Sequence, residues 1–65
     1  MKITVNGEPK DISATTLQGA MAELGYADAR VATAVNETFV PSSARDGQVL
    51  ADGDRLEILA PMQGG

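Results

Sequence analysis

TTLQGAMAELG, residues 15–25, decides how this chain folds, because its apolar residues recur with helical spacing while the segments around it alternate. Leu17, Ala20, Met21 and Leu24 fall at i, i+3, i+4 and i+7, one face of an amphipathic helix. Thr15 with Gln18 three residues later has the form of a capping box, and Gly25 can take the left-handed conformation just past the end. Gly19 sits inside the helix at a cost of up to about 1 kcal/mol relative to alanine. Only a close approach of the helix backbone to a sheet would account for it.

Before the helix, residues 1–5 alternate Met1, Ile3 and Val5 against Lys2 and Thr4, a strand with one buried face. NGEP follows as a tight turn, and a second strand at residues 10–13 would bring Ile12 to the core, with Pro9 in the turn or on an edge. After the helix, RVATAVN (30–36) is rich in small and β-branched residues without clean alternation, which suits a central strand covered on much of both faces. NET turns the chain, Phe39 and Val40 form a short extended piece, and Pro41 ends it. Residues 42–46 read as a loop or a single helical turn, and Val49 and Leu50 return to the core. ADGD makes a turn into a last strand, residues 55–60, with Leu56, Ile58 and Ala60 inward and Arg55, Glu57 and Leu59 outward.

A hairpin, a helix across one face of a mixed sheet, and a late strand beside the first define an α+β, β-grasp arrangement of four to five strands. Residues 1–60 are expected to form that domain and 61–65 a flexible tail ending in Gly-Gly.

The chain has 65 residues, and a domain this small buries only roughly 60% of the surface its unfolded form exposes. Without Cys or His, neither of the common nucleophile triads can be assembled, and Ser13, Ser42 and Ser43 have no imidazole to activate them. Disulfides and thiolate metal sites are ruled out by the same composition. Glu8 and Asp11, or Asp52 and Asp54, could pair, but so small a domain scarcely builds the dry cleft that acid–base work needs, and a solvated surface explains them better. DGD at 52–54 lacks the remaining ligands of a calcium loop, so no metal site is expected. Five basic against nine acidic residues, a net charge of -4, argue against nucleic acid or an anionic membrane as partner. Neither a signal peptide nor a transmembrane stretch is legible, so a cytoplasmic location is the default expectation.

The tail carries the remaining chemistry. From Ala60, residues 61–65 span at most about 18 Å when extended, enough to enter a narrow channel in another protein. Glycine at 64 and 65 removes side chains where backbone must pass and leaves the α-carboxylate open, while Pro61 stiffens the base. A carboxylate is a poor electrophile, so a reaction there requires activation, which ATP supplies as an acyl-adenylate. A frayed end is the plainer reading of two terminal glycines, but these follow the last strand at a short, proline-bracketed distance.

Four stretches, ITVNGEP (3–9), TTLQGAMAELG (15–25), VATAVNETFVP (31–41) and DGDRLEILAPMQGG (52–65), make the whole chain resemble the ThiS family, the ubiquitin-like sulfur carriers of bacterial thiazole (thiamin) biosynthesis. The resemblance implies a protein carrier that is acted on by enzymes and is not itself one. It implies that Gly65 is adenylated by a ThiF-like activating enzyme using ATP and magnesium, with no cofactor bound by the carrier. Sulfur from a cysteine desulfurase then displaces AMP to give a thiocarboxylate, which a ThiG-like thiazole synthase receives. Gly64, Gln63, Met62 and Pro61 become the threading arm, and outward Leu59 with Phe39 become a candidate docking patch. The small subunit of molybdopterin synthase and other Gly-Gly carriers share this tail, and a non-reacting β-grasp interaction module is the alternative of another class.

Overall fold

A computed structural model of the chain describes residues 1–27 and 29–60. Five strands, β1 (Lys2–Val5), β2 (Glu8–Asp11), β3 (Ala32–Val35), β4 (Thr38–Val40) and β5 (Arg55–Leu59), form one sheet in the order β2-β1-β5-β3-β4. β1 and β5 run parallel and the other neighbours antiparallel, so the late strand lies beside the first, as its apolar pattern requires. One helix, α1 (Leu17–Glu23), packs on one face, and a 3-10 helix, Ser42–Gly47, closes the end beyond β4. This is the ubiquitin-like β-grasp fold. No described helix is long and apolar enough to cross a membrane.

The first hairpin turns at Asn6 and Gly7, both at positive φ (51° and 85°), so pairing resumes at once with Val5 opposite Glu8. The second strand therefore lies at 8–11 rather than 10–13. Met1 and Ile12 exchange hydrogen bonds, Ile12 N–H to Met1 O at 2.9 Å and the Met1 amine to Ile12 O at 2.7 Å. Alternation from that pair puts Pro9, opposite Thr4, at a position that bonds nothing on β1, on the outer edge where a missing N–H is harmless.

Helix α1 begins one residue later than the capping-box reading placed it. Thr16, not Thr15, is the N-cap, its hydroxyl accepting from the Gly19 N–H at 3.2 Å. Thr15 is held extended by a short antiparallel run: Leu50 N–H donates to Thr15 O, and Leu17 N–H to Gln48 O, both at 2.8 Å. Gln18 is thus not in register for the reciprocal bond, and Gly19, which is, has no side chain to make it. Gly19 has its reason in the approach of the preceding chain rather than of the sheet. A Cβ there would lie 3.0 Å from the Ala14 Cβ and 3.3 Å from the Thr16 hydroxyl. Glu23 holds that approach in place, accepting both the Ser13 and the Ala14 N–H groups at 3.0 Å. At the other end Gly25 (φ 93°) closes a Schellman motif, with Tyr26 N–H on Met21 O at 2.7 Å and Gly25 N–H on Ala22 O at 3.1 Å.

The core lies between α1 and one sheet face. Leu17, Ala20 and Met21 pack with Ile3, Val5, Ile12, Val35, Val40, Leu50, Leu56 and Ile58. Three burial expectations fail. β3 is covered on one face, Thr33 and Val35 inward and Ala32 exposed, because α1 packs on that face alone. Val49 is 69% exposed, since adjacent residues of an extended segment point opposite ways and Leu50 takes the inward position. Ala60 is exposed as well: the ladder to β3 ends at the Ala32–Leu59 pair, so inward alternation stops at Ile58.

Arg45 is the residue the sequence does not announce. It is buried at 8% exposure, its Nε donating to the Thr33 hydroxyl at 3.0 Å and its Nη2 to Val31 O, while that hydroxyl donates to Val40 O at 2.8 Å. The guanidinium thereby ties the 3-10 helix to the end of the β3–β4 ladder and supplies a donor to Val31 O, one residue before β3 begins.

Candidate functional site

The strand that leads to the tail sits between the two hairpins, and each hairpin turn sends an asparagine side chain to it. Asn6 follows β1, and its amide pairs with Ile58 in both directions: the Ile58 N–H donates to Oδ1 at 2.8 Å and Nδ2 donates to Ile58 O at 3.1 Å. Asn36 follows β3 in the same left-handed conformation (φ 51°) and holds the other end of β5. Its Oδ1 accepts from the Arg55 N–H at 2.9 Å, and its Nδ2 donates to Asp54 Oδ1 at 3.0 Å. The VN dipeptides mark both as turn residues, but nothing local in the sequence reveals what their side chains reach.

Asp52 and Asp54 are spent on the turn before β5. Asp52 accepts the Lys2 N–H at 2.7 Å and Asp54 the Ala51 N–H at 2.8 Å. Their oxygens pin the loop to β1 and to itself, which is why the DGD sequence reads as a turn. Among the described residues no group of three or more carboxylates is arranged to hold a metal ion. A shallow depression of about 200 Å³ lies between the two hairpin turns, lined by Thr4, Gly7, Glu37, Arg55, Leu56 and Glu57. Its charged rim is the Arg55–Glu37 pair at 3.4 Å, largely exposed on both sides and therefore of small energetic weight.

Leu59 and Phe39 are 68% and 65% exposed and share the face opposite α1. Phe39 pairs across Ala34, and Leu59 across Ala32, so two alanines of β3 lie between the large side chains. With neighbouring strands about 4.8 Å apart, the two are separated by two strand spacings and one diagonal step, a flat apolar strip over the open sheet. Glu57 and Arg55 border it on β5. The positions proposed for chemistry and threading, Pro61, Met62, Gln63, Gly64 and Gly65, lie outside the described residues. The described residues therefore present the strip and, at the root of the tail, the Ile58 end of β5 held by Asn6.

A small β-grasp domain, with an apolar strip on its open face and a Gly-Gly stretch following its central strand, belongs to the class of ubiquitin-like proteins. The ThiS family model matches residues 3–65, the glycines included, and the chain belongs to the ThiS family. A thiazole synthase of Paramagnetospirillum magneticum is 39% identical over 66 residues and one of Magnetococcus marinus 38%, both covering the whole chain. This chain spans about a fifth (20%) of the length of each of these two proteins. A sulfur carrier protein ThiS of Thermus thermophilus is 35% identical over 97% of this chain and 98% of its own. The crystal structure of a thiamine biosynthesis protein, ThiS, of Geobacter metallireducens superimposes with a TM-score of 0.85 at 30% identity, over the full length of both chains.

Proposed function

We propose that this chain is a cytoplasmic sulfur carrier for thiazole formation in thiamin biosynthesis, with the α-carboxyl of Gly65 as the group that changes. The observation that carries the reading is the family match running through residue 65, which places Gly64 and Gly65 inside the shared sequence. The chain is a co-substrate and not an enzyme. Its carboxylate attacks the α-phosphorus of ATP on a ThiF-like partner that holds the magnesium, releasing pyrophosphate and giving an acyl-adenylate. A persulfide supplied through a cysteine desulfurase adds to the activated carbonyl and expels AMP to give an acyl disulfide, and a second thiol cleaves its S–S bond, leaving a thiocarboxylate and a disulfide; free sulfide gives the thiocarboxylate directly. Sulfur then sits on a main-chain atom, which is consistent with a chain that has no cysteine.

The recipient is a ThiG-like thiazole synthase. That assignment draws support from the two thiazole synthases in which a sequence like this one accounts for a fifth (20%) of a longer polypeptide. Pro61, Met62, Gln63 and Gly64 thread into the partner sites, and Leu59 and Phe39 dock the body of the domain. Support for docking comes from the two residues sharing one open face with only alanines between them. Single exposed apolar residues are common, but a flat strip beside a reactive tail is a natural seat for a partner.

Intact mass after incubation with the activating enzyme, ATP, magnesium and sulfide tests the reading. A gain of about 16 Da, one oxygen replaced by sulfur, is expected, and it disappears when Gly65 is removed. An unchanged mass, with the same enzyme converting another carrier, leaves a non-reacting interaction module as the account.

A further inference from the structure

The two asparagine clamps differ in one respect that bears on the tail. In the sheet, Asp54 and Leu56 direct their carbonyls toward β1, accepting from the Thr4 N–H at 3.0 Å and the Asn6 N–H at 2.9 Å. By alternation the N–H and C=O of Ile58 point the same way, but β1 has ended at Val5 and the chain has turned. The Asn6 side-chain amide, one donor and one acceptor in a plane, fills the empty position as a peptide group would. It is therefore the β1-side support of the last part of β5, opposite the Ala32–Leu59 pair on the β3 side. From Ile58 to Pro61 is three residues, at most about 11 Å of chain. Asn36 makes bonds of the same kind at the far end of the strand, on Arg55 and Asp54.

We infer that Asn6 is a positioning residue for the carrier reaction: by completing the β ladder at Ile58 it holds the end of β5, the strand from which the chain continues to its reacting carboxyl. The inference rests on the carrier reading proposed above. An apolar strip that docks the domain determines where the body sits on a partner, and the terminal carboxyl reaches the reacting centre only if the root of the arm is held. Misplacement of a reacting group by about 1 Å can cost on the order of a hundredfold in rate. Asn6 is well suited to this, because its left-handed φ, which few residues adopt without strain, aims the amide back at β5.

The test compares full-length Asn6→Gly with Asn36→Gly. Glycine keeps the positive φ at either turn and deletes the amide. Two readouts are taken, hydrogen exchange of the Ile58 and Arg55 amides, and steady-state thiocarboxylate formation by the activating enzyme with ATP, magnesium and sulfide. Asn6→Gly should speed exchange at Ile58 and lower kcat about tenfold with KM for the carrier little changed, as expected when docking persists and alignment is lost. Asn36→Gly should speed exchange at Arg55 and leave both constants within about twofold. Equal kinetics for the two variants, or a rise in KM with kcat intact, overturns the inference while the carrier reading stands. A wild-type chain that gains no sulfur overturns the carrier reading and this inference with it. Should Asn6→Gly fail to fold, Asn6→Asp, which keeps the acceptor for the Ile58 amide and removes the donor, takes its place with the same split expected.

Discussion

The β1–β2 and β3–β4 hairpins are built on the same turn and put to different uses. Both reverse through a valine–asparagine step into two residues at positive φ, Asn6 and Gly7 in one, Asn36 and Glu37 (φ 71°) in the other. Both asparagines reach β5. The outer strands diverge. β2, Glu-Pro-Lys-Asp, is exposed throughout, with a proline and charges that discourage pairing with another chain. β4 is three residues long and carries exposed Phe39. One edge carries a proline and charges, and the open face of the sheet carries exposed Phe39 and Leu59.

The sharpest way to break the second hairpin is to remove the cation beneath it. Arg45→Ala leaves Val31 O and the Thr33 hydroxyl without their donor and is expected to cost about 2–3 kcal/mol in urea unfolding, an effect with no counterpart in the first hairpin. An unchanged denaturation midpoint would mean that water replaces the guanidinium freely.

A smaller effect, confined to association, is expected at the strip. Phe39→Ser should weaken binding to the activating enzyme about tenfold in titration calorimetry. Its own stability should move by no more than about 0.5 kcal/mol, because the ring is already in water. If the same substitution lowers stability and leaves affinity unchanged, Phe39 belongs to the fold and not to the docking surface.

The turns themselves provide the finest test. Gly7→Ala puts a Cβ on a left-handed residue and should destabilise by about 1 kcal/mol, although nothing lies near enough to clash. Glu37→Gly relieves the same strain in the other hairpin and should stabilise by roughly 0.5 kcal/mol, offset by the loss of its weak pairing with Arg55 and by the greater freedom of glycine in the unfolded chain. Thermal midpoints shifting in opposite directions would show that the two turns are the same device with different residues.

The sequence made much of this fold legible because the relevant signals are local. The i, i+3, i+4, i+7 spacing of Leu17, Ala20, Met21 and Leu24 marks the helix, Gly25 marks its end, and the alternation around Leu56 and Ile58 marks the last strand and its direction of burial. The outward position of Leu59 follows from the same alternation, while Phe39 is marked only by its place next to a turn. Where the reading slipped, a distant segment intervened. Thr15 has every local qualification for an N-cap, and only the run alongside Gln48 to Leu50 holds it extended and passes the cap to Thr16. RVATAVN reads as doubly covered because small and β-branched residues suit burial, but among the described residues there is no second α-helix with which to cover the other face.

By itself, then, the sequence determined the order and kind of the elements, the inward faces of α1, β1 and β5, and the family to which a chain of this pattern belongs, since all of these reside in spacing along the chain. What Asn6, Asn36 and Arg45 do was decided only in three dimensions. An asparagine in a tight turn and an arginine in a polar loop have ordinary local explanations. Their partners are Ile58, Arg55 and Thr33, brought to them only when β5 slides between the two hairpins and the 3-10 helix folds over the end of β3. A hydrogen bond between residues far apart in sequence leaves no periodic trace, and for that reason the supports at the root of the tail are a property of the tertiary structure.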